Sequence, residues 1–279
     1  MKRAAWHDHA VAELHYRKDL FEGTAEYYDR FRLPYPDELI DDLRTRVPLD
    51  ATSRVLDLAC GTGQIAFALA AGVAEVLAVD QEAEMIELVA HKARRLDVAN
   101  VHAIAAAAEA VPLDGSFDLV AIGNAFHRLD RDAVARRLTA HISDRGCVAL
   151  LWSGTPWLGE PPWHGVLDET LTRWRDTLGA RDRVPEGWEE AIDRDPHEQV
   201  LRRAGFTYEG TFEFSSVERW TVESLIGFTY STSFLNRAVL GRRAAAFEED
   251  LRGQLLACCP DGVFEQELSF MFELARRVA

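Results

Sequence analysis

The glycine-containing stretch Val55 to Ala70, VLDLACGTGQIAFALA, is the feature that most constrains the fold. An apolar run is followed by a turn with two glycines, and apolar residues then return at helical spacing. The segment 61–66, GTGQIA, satisfies the GxGxx(G/A) pattern of nucleotide-binding loops, in which glycines let the backbone approach a ligand at the start of a helix. The stretch therefore predicts a strand, a ligand-binding turn and a helix.

The chain from 54 to 152 alternates short apolar segments with longer segments of helical periodicity. The apolar segments show no polar alternation, so they predict a parallel sheet that is covered by helices on both faces. Asp130 has the position of an N-cap for the last helix of this region. The predicted strands are RVLDL (54–58), EVLAVD (75–80), VHAIA (101–105), FDLVAIG (117–123) and CVALLW (147–152), and the predicted helices are 64–71, 82–96 and 130–142.

The composition changes after Gly154, because the segment 155–196 is rich in Pro, Gly and Trp. A helix (197–204), a strand pattern (206–214) and helical stretches from Val222 and over 236–256 follow. The alternating final segment predicts a strand beside the 206–214 run that closes the sheet. The predicted regions are an N-terminal helical lid (1–50), a ligand-binding sheet core (51–154), an inserted cover (155–200), and a C-terminal part that completes the sheet with helical cover (201–279).

Charge and cysteine usage narrow the class of partner. The net charge is −15, from 46 acidic against 31 basic residues, which disfavours nucleic acid because a phosphate backbone requires a basic face. The N-terminus, MKRAAWHDHA, lacks the apolar core of a secretory signal, and no run is apolar enough to span a bilayer. The four cysteines form no CxxC pair, so we expect no metal site. These features predict a cytoplasmic protein with reduced thiols and no membrane partner.

Two acids at strand ends indicate what the glycine turn binds. Asp57 lies four residues before Gly61, where a carboxylate would repel a pyrophosphate and attract a cation. S-adenosylmethionine (SAM) carries an ammonium and a sulfonium but no phosphate, so Asp57 favours SAM over NAD. Asp80 ends the second strand, where an acid accepts hydrogen bonds from both ribose hydroxyls, and that role fits either cofactor.

The motifs DLACGTG, AVDQEAEM and AAEAVPLDGSFDLVAIGNAFH resemble those of the class I SAM-dependent methyltransferases over roughly residues 27–152. This resemblance implies a doubly wound, Rossmann-like, mostly parallel sheet with an antiparallel C-terminal strand, and S-adenosylhomocysteine (SAH) as product. The chain departs from the family at Ala59, where glycine is usual, and at Ala107, where relatives often carry an acid near the adenine amino group. Beside Asp57 and Asp80, the implied cofactor-binding residues are Ala59, Gly61, Gly63, Gln81, Met85, Ala108, Glu109 and Asn124.

The upstream segment FEGTAEYYDRFRLPYPDELI (21–40) resembles the Y-x-x-(Y/F)-R-x-P-Y-P lid of a subgroup that methylates small molecules. The resemblance implies that Tyr28 lines the methyl-transfer site, and a surface helix followed by a proline turn is the alternative for this segment. It also implies that Arg32 pairs with the SAM carboxylate, a task that suits the planar guanidinium because it can donate two parallel hydrogen bonds. The prolines on both sides of Tyr35 predict an extended turn.

The segment GNAFHRLD (123–130) follows the fourth strand and should face the ligand cleft, because ligands bind at the carboxyl ends of parallel strands. It lacks the prolines of the N-P-P-Y motif found in methyltransferases of base amino groups, which again disfavours DNA. It resembles the AFHW of relatives with the same lid, with Arg128 in place of the tryptophan. His127 is the candidate general base for a hydroxyl or ammonium nucleophile, and a hydrogen-bonded structural histidine is the alternative.

The second half of the chain should supply the substrate pocket. Tryptophans offer large flat contact surfaces, and packing within a helical subdomain is the alternative for each of them. The predicted substrate-binding residues are Trp157, Phe228, Tyr230 and Ser233. The sequence thus predicts a SAM-dependent methyltransferase that acts on a hydroxyl or amine of a small molecule, such as a specialised metabolite. An NAD-dependent oxidoreductase and a SAM-binding protein without turnover remain open, and the sequence does not indicate an oligomeric state.

Overall fold

The computed structural model describes residues 19–278, which contain one seven-stranded sheet with helices on both faces. The strands are β1 (Arg54–Leu58), β2 (Glu75–Asp80), β3 (Val101–Ala105), β4 (Phe117–Gly123), β5 (Ile142–Ser153), β6 (Phe206–Thr221) and β7 (Val263–Arg277). Their order across the sheet is β3-β2-β1-β4-β5-β7-β6, and β7 runs antiparallel to both of its neighbours. The predicted fold class, with its antiparallel C-terminal strand, is confirmed.

Residues that alternate along each central strand enter two different hydrophobic cores. On β1, Val55 joins the core beneath α2, α3 and α4, whereas Leu56 joins the core beneath α5 and α8. This double burial explains why the strands carry no polar alternation. The helices are α1 (Ala25–Phe31), α2 (Asp37–Arg46), α3 (Gln64–Leu69), α4 (Ala83–Arg95), α5 (Arg131–Thr139), α6 (Pro162–Leu178), α7 (Trp188–Arg194), α8 (His197–Arg203), α9 (Val222–Tyr230), α10 (Arg237–Leu240) and α11 (Ala244–Cys258).

Strands β1 to β4 have the predicted bounds, while three later elements differ from prediction. β5 begins at Ile142 instead of Cys147, and the register shifts where this extension pairs with β4. β6 continues beyond Phe214 to Thr221 because each added residue pairs with β7. The helix predicted over 236–256 is interrupted near Gly241, whose φ of +52° breaks the helical path. The predicted N-cap is confirmed, since the Asp130 carboxylate accepts a hydrogen bond of 2.9 Å from the Ala133 amide.

The region predicted to be a lid, described from residue 19 onward, packs on helices of the C-terminal part. The Phe31 ring of α1 lies against Gly227 of α9 so closely that a Cβ there would approach the ring to 2.4 Å. The rings of Tyr27 and Tyr230 meet edge to face at 5.1 Å. Within residues 19–278 no helix has both the length and the apolar character required to cross a bilayer.

Candidate functional site

A cavity of about 520 Å³ lies at the carboxyl ends of β1, β2 and β4, beneath the lid. The turns after these strands and residues of the 20–28 segment form its walls. The predicted cofactor residues on the walls are Tyr28, Ala59, Gly61, Asp80, Gln81, Met85, Ala108, Glu109 and Asn124. Sequence reasoning missed Leu20, Phe21, Glu82, Ala106, Ala107, Ala110, Gly123, Ala125, Arg128 and Leu129, which also line it. Arg32, Asp57 and Gly63 lie outside the walls.

The glycine turn has the left-handed backbone that its sequence predicts. Gly61 and Gly63 have φ values of +53° and +79°. A Cβ at Gly61 would lie 3.3 Å from the Tyr28 ring, and one at Gly63 would lie 3.1 Å from Val89. Gly61 therefore brings backbone to the cavity wall, whereas Gly63 allows close packing behind the turn. Ala59 also has a left-handed φ, +57°, a conformation that favours the glycine usual at this position.

The Asp80 carboxylate is fixed at the cavity wall by two backbone amides. One oxygen accepts from Gly61 N at 2.8 Å, and the other accepts from Glu82 N at 2.9 Å. Burial raises the pKa of Asp80, which these hydrogen bonds oppose. A carboxylate has about four lone-pair sites, so each oxygen can accept a further hydrogen bond from a ligand hydroxyl. Asp80 is thus a preorganised acceptor at the end of β2.

Asp57 lies behind the glycine turn and not on the cavity wall. It is 1% exposed, and one of its oxygens accepts from Ala66 N at 2.8 Å, at the start of α3. Its other oxygen is buried without a hydrogen-bond partner among the described residues. Burial raises its pKa to about 7, the Ala66 amide opposes this shift, and the Asp80 charge adds to it. The Asp57 carboxylate therefore fixes the turn. Its oxygen without a partner could accept a hydrogen bond from a ligand donor or attract a ligand cation.

Arg32 is a partly buried cation that has no carboxylate partner in the described part of the chain. Its guanidinium lies between the rings of Tyr28 and Phe228, 4.9 and 4.5 Å from their centroids. It donates to the Ser231 hydroxyl at 2.8 Å and to the Ser231 carbonyl at 3.2 Å. Burial lowers its pKa. A desolvated charge without a counterion is costly, and the carboxylate of a ligand beside Tyr28 would supply that counterion.

Asn124 joins the ends of β4 and β5 to the lid. Its amide nitrogen donates to the Ser153 hydroxyl at 2.9 Å and to the Tyr35 hydroxyl at 3.2 Å, and its amide oxygen accepts from Ser153 N at 3.1 Å. Asn124 has a φ of +50°. Because its side chain is already engaged, it shapes the wall instead of reaching into the cavity. Tyr35 was not predicted as a site residue, although the flanking prolines that fix it are visible in the sequence.

His127 has an environment that does not suit a general base. Its ring lies between Trp152 and Trp188, with centroids 5.7 and 5.2 Å away, and its Nε2 accepts from Arg128 Nε at 3.2 Å. Burial and the Arg128 charge lower its pKa to about 3. An imidazole of this low basicity accepts a proton poorly near neutral pH. The geometry fits the structural alternative and places His127 outside the cavity wall.

The four predicted substrate residues also lie outside the cavity wall, in the joint between the lid and its cover. Phe228 is buried beneath Arg32, and Trp157 contacts the Phe228 ring at a centroid distance of 5.7 Å. The Tyr230 hydroxyl donates to Glu248 at 2.5 Å. Ser233 is buried, and its carbonyl accepts from Arg183 at 2.6 Å. These contacts give each residue a packing role, while their contact with a substrate stays a prediction.

Comparison with known proteins identifies the family. Residues 55–146 match the family model described as a methyltransferase domain. The chain is 31% identical over 175 residues to an uncharacterized methyltransferase of Mycobacterium tuberculosis, covering 61% of this chain and 67% of the relative. It is 27% identical over 220 residues to an uncharacterized methyltransferase of Schizosaccharomyces pombe, covering 78% and 80%.

Solved structures show the same fold. A structure from Anaeromyxobacter dehalogenans described as a type II methyltransferase has a TM-score of 0.61 at 22% identity, covering 88% of this chain and 97% of the other. The YcgJ protein of Bacillus subtilis has a TM-score of 0.54 at 18% identity, covering 87% and 99%. The methyltransferase relative of 31% identity sets aside the NAD-dependent oxidoreductases, which share the glycine pattern. The chain belongs to the class I SAM-dependent methyltransferases, and SAM is its cofactor.

Proposed function

We propose that this protein transfers the methyl group of SAM to a hydroxyl or amine of a small molecule, such as a specialised metabolite, in the cytoplasm. The observation that carries this proposal is the covered cavity, because Leu20, Phe21 and Tyr28 lie over it. The Asn236 amide donates to the Leu20 carbonyl at 3.2 Å, and the neighbouring Tyr27 ring contacts Tyr230 of α9. A covered site suits an acceptor that fits beneath the lid. The net charge of −15 supports the absence of a nucleic-acid partner.

We further propose how the cavity holds SAM. Asp80 accepts hydrogen bonds from the ribose hydroxyls, since its two oxygens are already oriented by backbone amides. The methionine part lies beside Gly61 and Tyr28, so that its carboxylate meets Arg32. The adenine lies at the opposite end, along Met85 and the alanine-rich segment 106–110. In this placement the ligand carboxylate gives Arg32 the counterion that the described residues do not supply.

Methyl transfer requires the protein to align donor and acceptor more than it requires proton transfer. SAM supplies an electrophilic methyl group on a sulfonium whose charge is lost as the methyl is transferred. Holding the donor and the acceptor in line contributes a large part of such a rate enhancement. We propose that Arg32 and Tyr28 fix the donor, that Tyr35 and Asn124 shape the acceptor side of Gly123, and that water takes the released proton. His127, which was predicted as the base, then stabilises the turn after β4.

A titration and a turnover assay test this proposal. Calorimetry with SAM and with NADH should show SAM binding only, and the Asp80→Ala variant should lose most of that binding. Incubation with SAM and a panel of phenols, alcohols and amines should release SAH with at least one acceptor. SAM binding without SAH release across the panel would instead favour a SAM-binding protein without turnover. Failure of the protein to bind SAM would overturn the proposal.

A further inference from the structure

Lys92 of α4 joins two parts of the site that lie far apart in the chain. Its ammonium group donates to the Asp29 carboxylate of α1 at 2.6 Å and to the Thr62 carbonyl of the glycine turn at 3.1 Å. The Lys92 side chain is only 14% exposed, and its Nζ lies 5.1 Å from the centroid of the Phe67 ring. Water screens such a shielded charge little, so both contacts are stronger than they would be on an open surface. The lid helix and the glycine turn therefore share one cation.

The Thr62 carbonyl depends on this ammonium group. Thr62 is fully buried, and the amide four residues further on, Ala66 N, donates to Asp57 instead of to Thr62. Within the part of the chain that the structure describes, Lys92 is the only group that donates to this carbonyl. A buried carbonyl without a donor is unfavourable. Loss of the ammonium group should therefore let the glycine turn change its backbone conformation.

Helix α1 also carries the lid residue that lies closest to the turn. Tyr28 is on the cavity wall, and a Cβ at Gly61 would lie 3.3 Å from its ring. The ion pair with the α4 ammonium group holds the very next residue of α1. A second hydrogen bond, from Gln64 Nε2 to the Arg32 carbonyl at 3.1 Å, joins the end of α1 to the start of α3. The distance between the Tyr28 ring and the turn therefore depends on these two attachments.

We propose that Lys92 is a positioning residue for the methyl donor. It holds helix α1 and the glycine turn in one geometry, so that Tyr28 and Gly61 enclose the amino-acid part of SAM. Lys92 does not lie on the cavity wall, and it acts through Asp29 and Thr62. This inference rests on the proposed function, which places the methionine part of the cofactor beside Gly61 and Tyr28.

Calorimetry with SAH and with 5′-methylthioadenosine tests the inference, because the second ligand has the same nucleoside but lacks the amino-acid part. Lys92→Met should lower SAH affinity about tenfold and methylthioadenosine affinity less than about twofold, since the ribose still meets Asp80. Lys92→Arg keeps the charge and the donors, so its SAH affinity should stay within about threefold of wild type. The matched control, Arg95→Met, removes a charge from an exposed position of the same helix and should change neither affinity.

A double-mutant cycle shows whether the ion pair transmits the effect. Asp29→Ala should lower SAH affinity about fivefold, and the double variant should bind SAH no more weakly than Lys92→Met does, because either change releases α1 from α4. Losses that add would overturn the inference, as would wild-type SAH affinity in Lys92→Met.

Methylthioadenosine binding reports the folded fraction of each variant. If Lys92→Met folds poorly, Asp29→Ala decides the question alone, because it leaves the bond to the Thr62 carbonyl in place. Wild-type protein that binds SAH and methylthioadenosine equally would overturn the proposed placement of the methionine part. A wild-type preference for SAH that survives both substitutions would overturn only the role of Lys92.

Discussion

The two ends of the cofactor cavity are built from different materials. At the end proposed for the methionine part, Asn124 lies on the wall, while Arg32 and Asp57 lie behind it. These three polar side chains come from distant parts of the chain. At the end proposed for the adenine, Ala106, Ala107, Ala108 and Ala110 line the wall together with Glu109. In the proposed placement, the engaged polar side chains lie near the reacting methyl group, where misalignment lowers the rate directly. In that placement the base lies away from the reacting methyl group and anchors the cofactor.

The largest expected effect is on the pH dependence of the free energy of unfolding. It should be larger for the buried carboxyl of Asp57 than for the half-buried carboxyl of Glu82. In each, burial is the first cause that raises the pKa, to about 7. The folded protein then binds these protons more tightly than the unfolded chain does, so the free energy of unfolding should fall as pH rises from about 4 to about 7.

Asp57→Asn should flatten this pH dependence by up to about 4 kcal/mol, because a shift of about three pKa units is worth about that much. Glu82→Gln should flatten it less, since water screens a half-exposed side chain. Urea unfolding of each variant and of the wild type between pH 4 and pH 8 measures both slopes. A wild-type slope retained in Asp57→Asn would show that another group titrates.

Asp80 lies between the two ends of the cavity, so its loss should lower the affinity for the whole cofactor. Asp80→Ala should reduce SAM affinity about 100-fold, because two charge-assisted hydrogen bonds to the ribose are lost together. Asp80→Asn, which keeps one acceptor oxygen, should lose about tenfold. Calorimetry measures both, and Asp114→Ala at an exposed loop position serves as the control. An unchanged affinity in Asp80→Ala would remove Asp80 from the site.

Arg32→Met should change cofactor affinity and fold stability in opposite directions. SAM affinity should fall about 30-fold, while 5′-methylthioadenosine, which lacks the amino-acid carboxylate, should bind as before. The ligand-free protein should gain roughly 1 kcal/mol, because a desolvated charge without a counterion is removed. Arg30→Met, at an exposed position in α1 two residues earlier, should do neither. An equal loss for both ligands would show that Arg32 does not read the carboxylate.

The difference between the ends also explains what the sequence could predict. Strands β1 to β4 and the glycine turn follow from local patterns, because each apolar run is buried on both faces and each turn residue has its own backbone requirement. The correct cofactor was inferred from Asp57, yet the structure places that carboxylate behind the turn. The spacing in the sequence fixes which strand end carries the acid but not how deeply it lies.

The sequence could not predict the surroundings of side chains whose neighbours in the fold come from distant parts of the chain. The pKa of His127 is set by burial against Trp152 and Trp188, which lie 25 and 61 residues further along the chain. Similarly, Tyr35 meets Asn124 across 89 positions. The lid motif pointed to Arg32, but only the fold shows that no acid of the described chain neutralises it.

The lid's contact with the C-terminal helices should respond to a single added methyl group. Gly227→Ala should destabilise the protein by about 1.5 kcal/mol, because the Phe31 ring must move from a position 2.4 Å from the new Cβ. SAM affinity should fall severalfold as α1 shifts. The matched change Gly253→Ala, which meets no atom within 4 Å in the middle of α11, should instead stabilise by roughly 0.5–1 kcal/mol. Thermal unfolding measures the change in stability for both variants. A stabilising Gly227→Ala would mean that the Phe31 ring does not pack against Gly227.

The smallest effect concerns Ala59, the position where this chain departs from the family's glycine. An alanine at a φ of +57° is strained, at a cost of about 1–2 kcal/mol. Glycine removes that strain but also makes the unfolded chain more flexible, a loss of about 0.4–1 kcal/mol. Ala59→Gly should therefore raise the free energy of unfolding by roughly 0.5 kcal/mol and leave SAM affinity unchanged. Urea unfolding with calorimetry on the same preparation tests both halves. A tighter SAM complex in Ala59→Gly would show that the Cβ of Ala59 presses on the cofactor. The wall beside the methionine part would then not be optimally shaped for SAM.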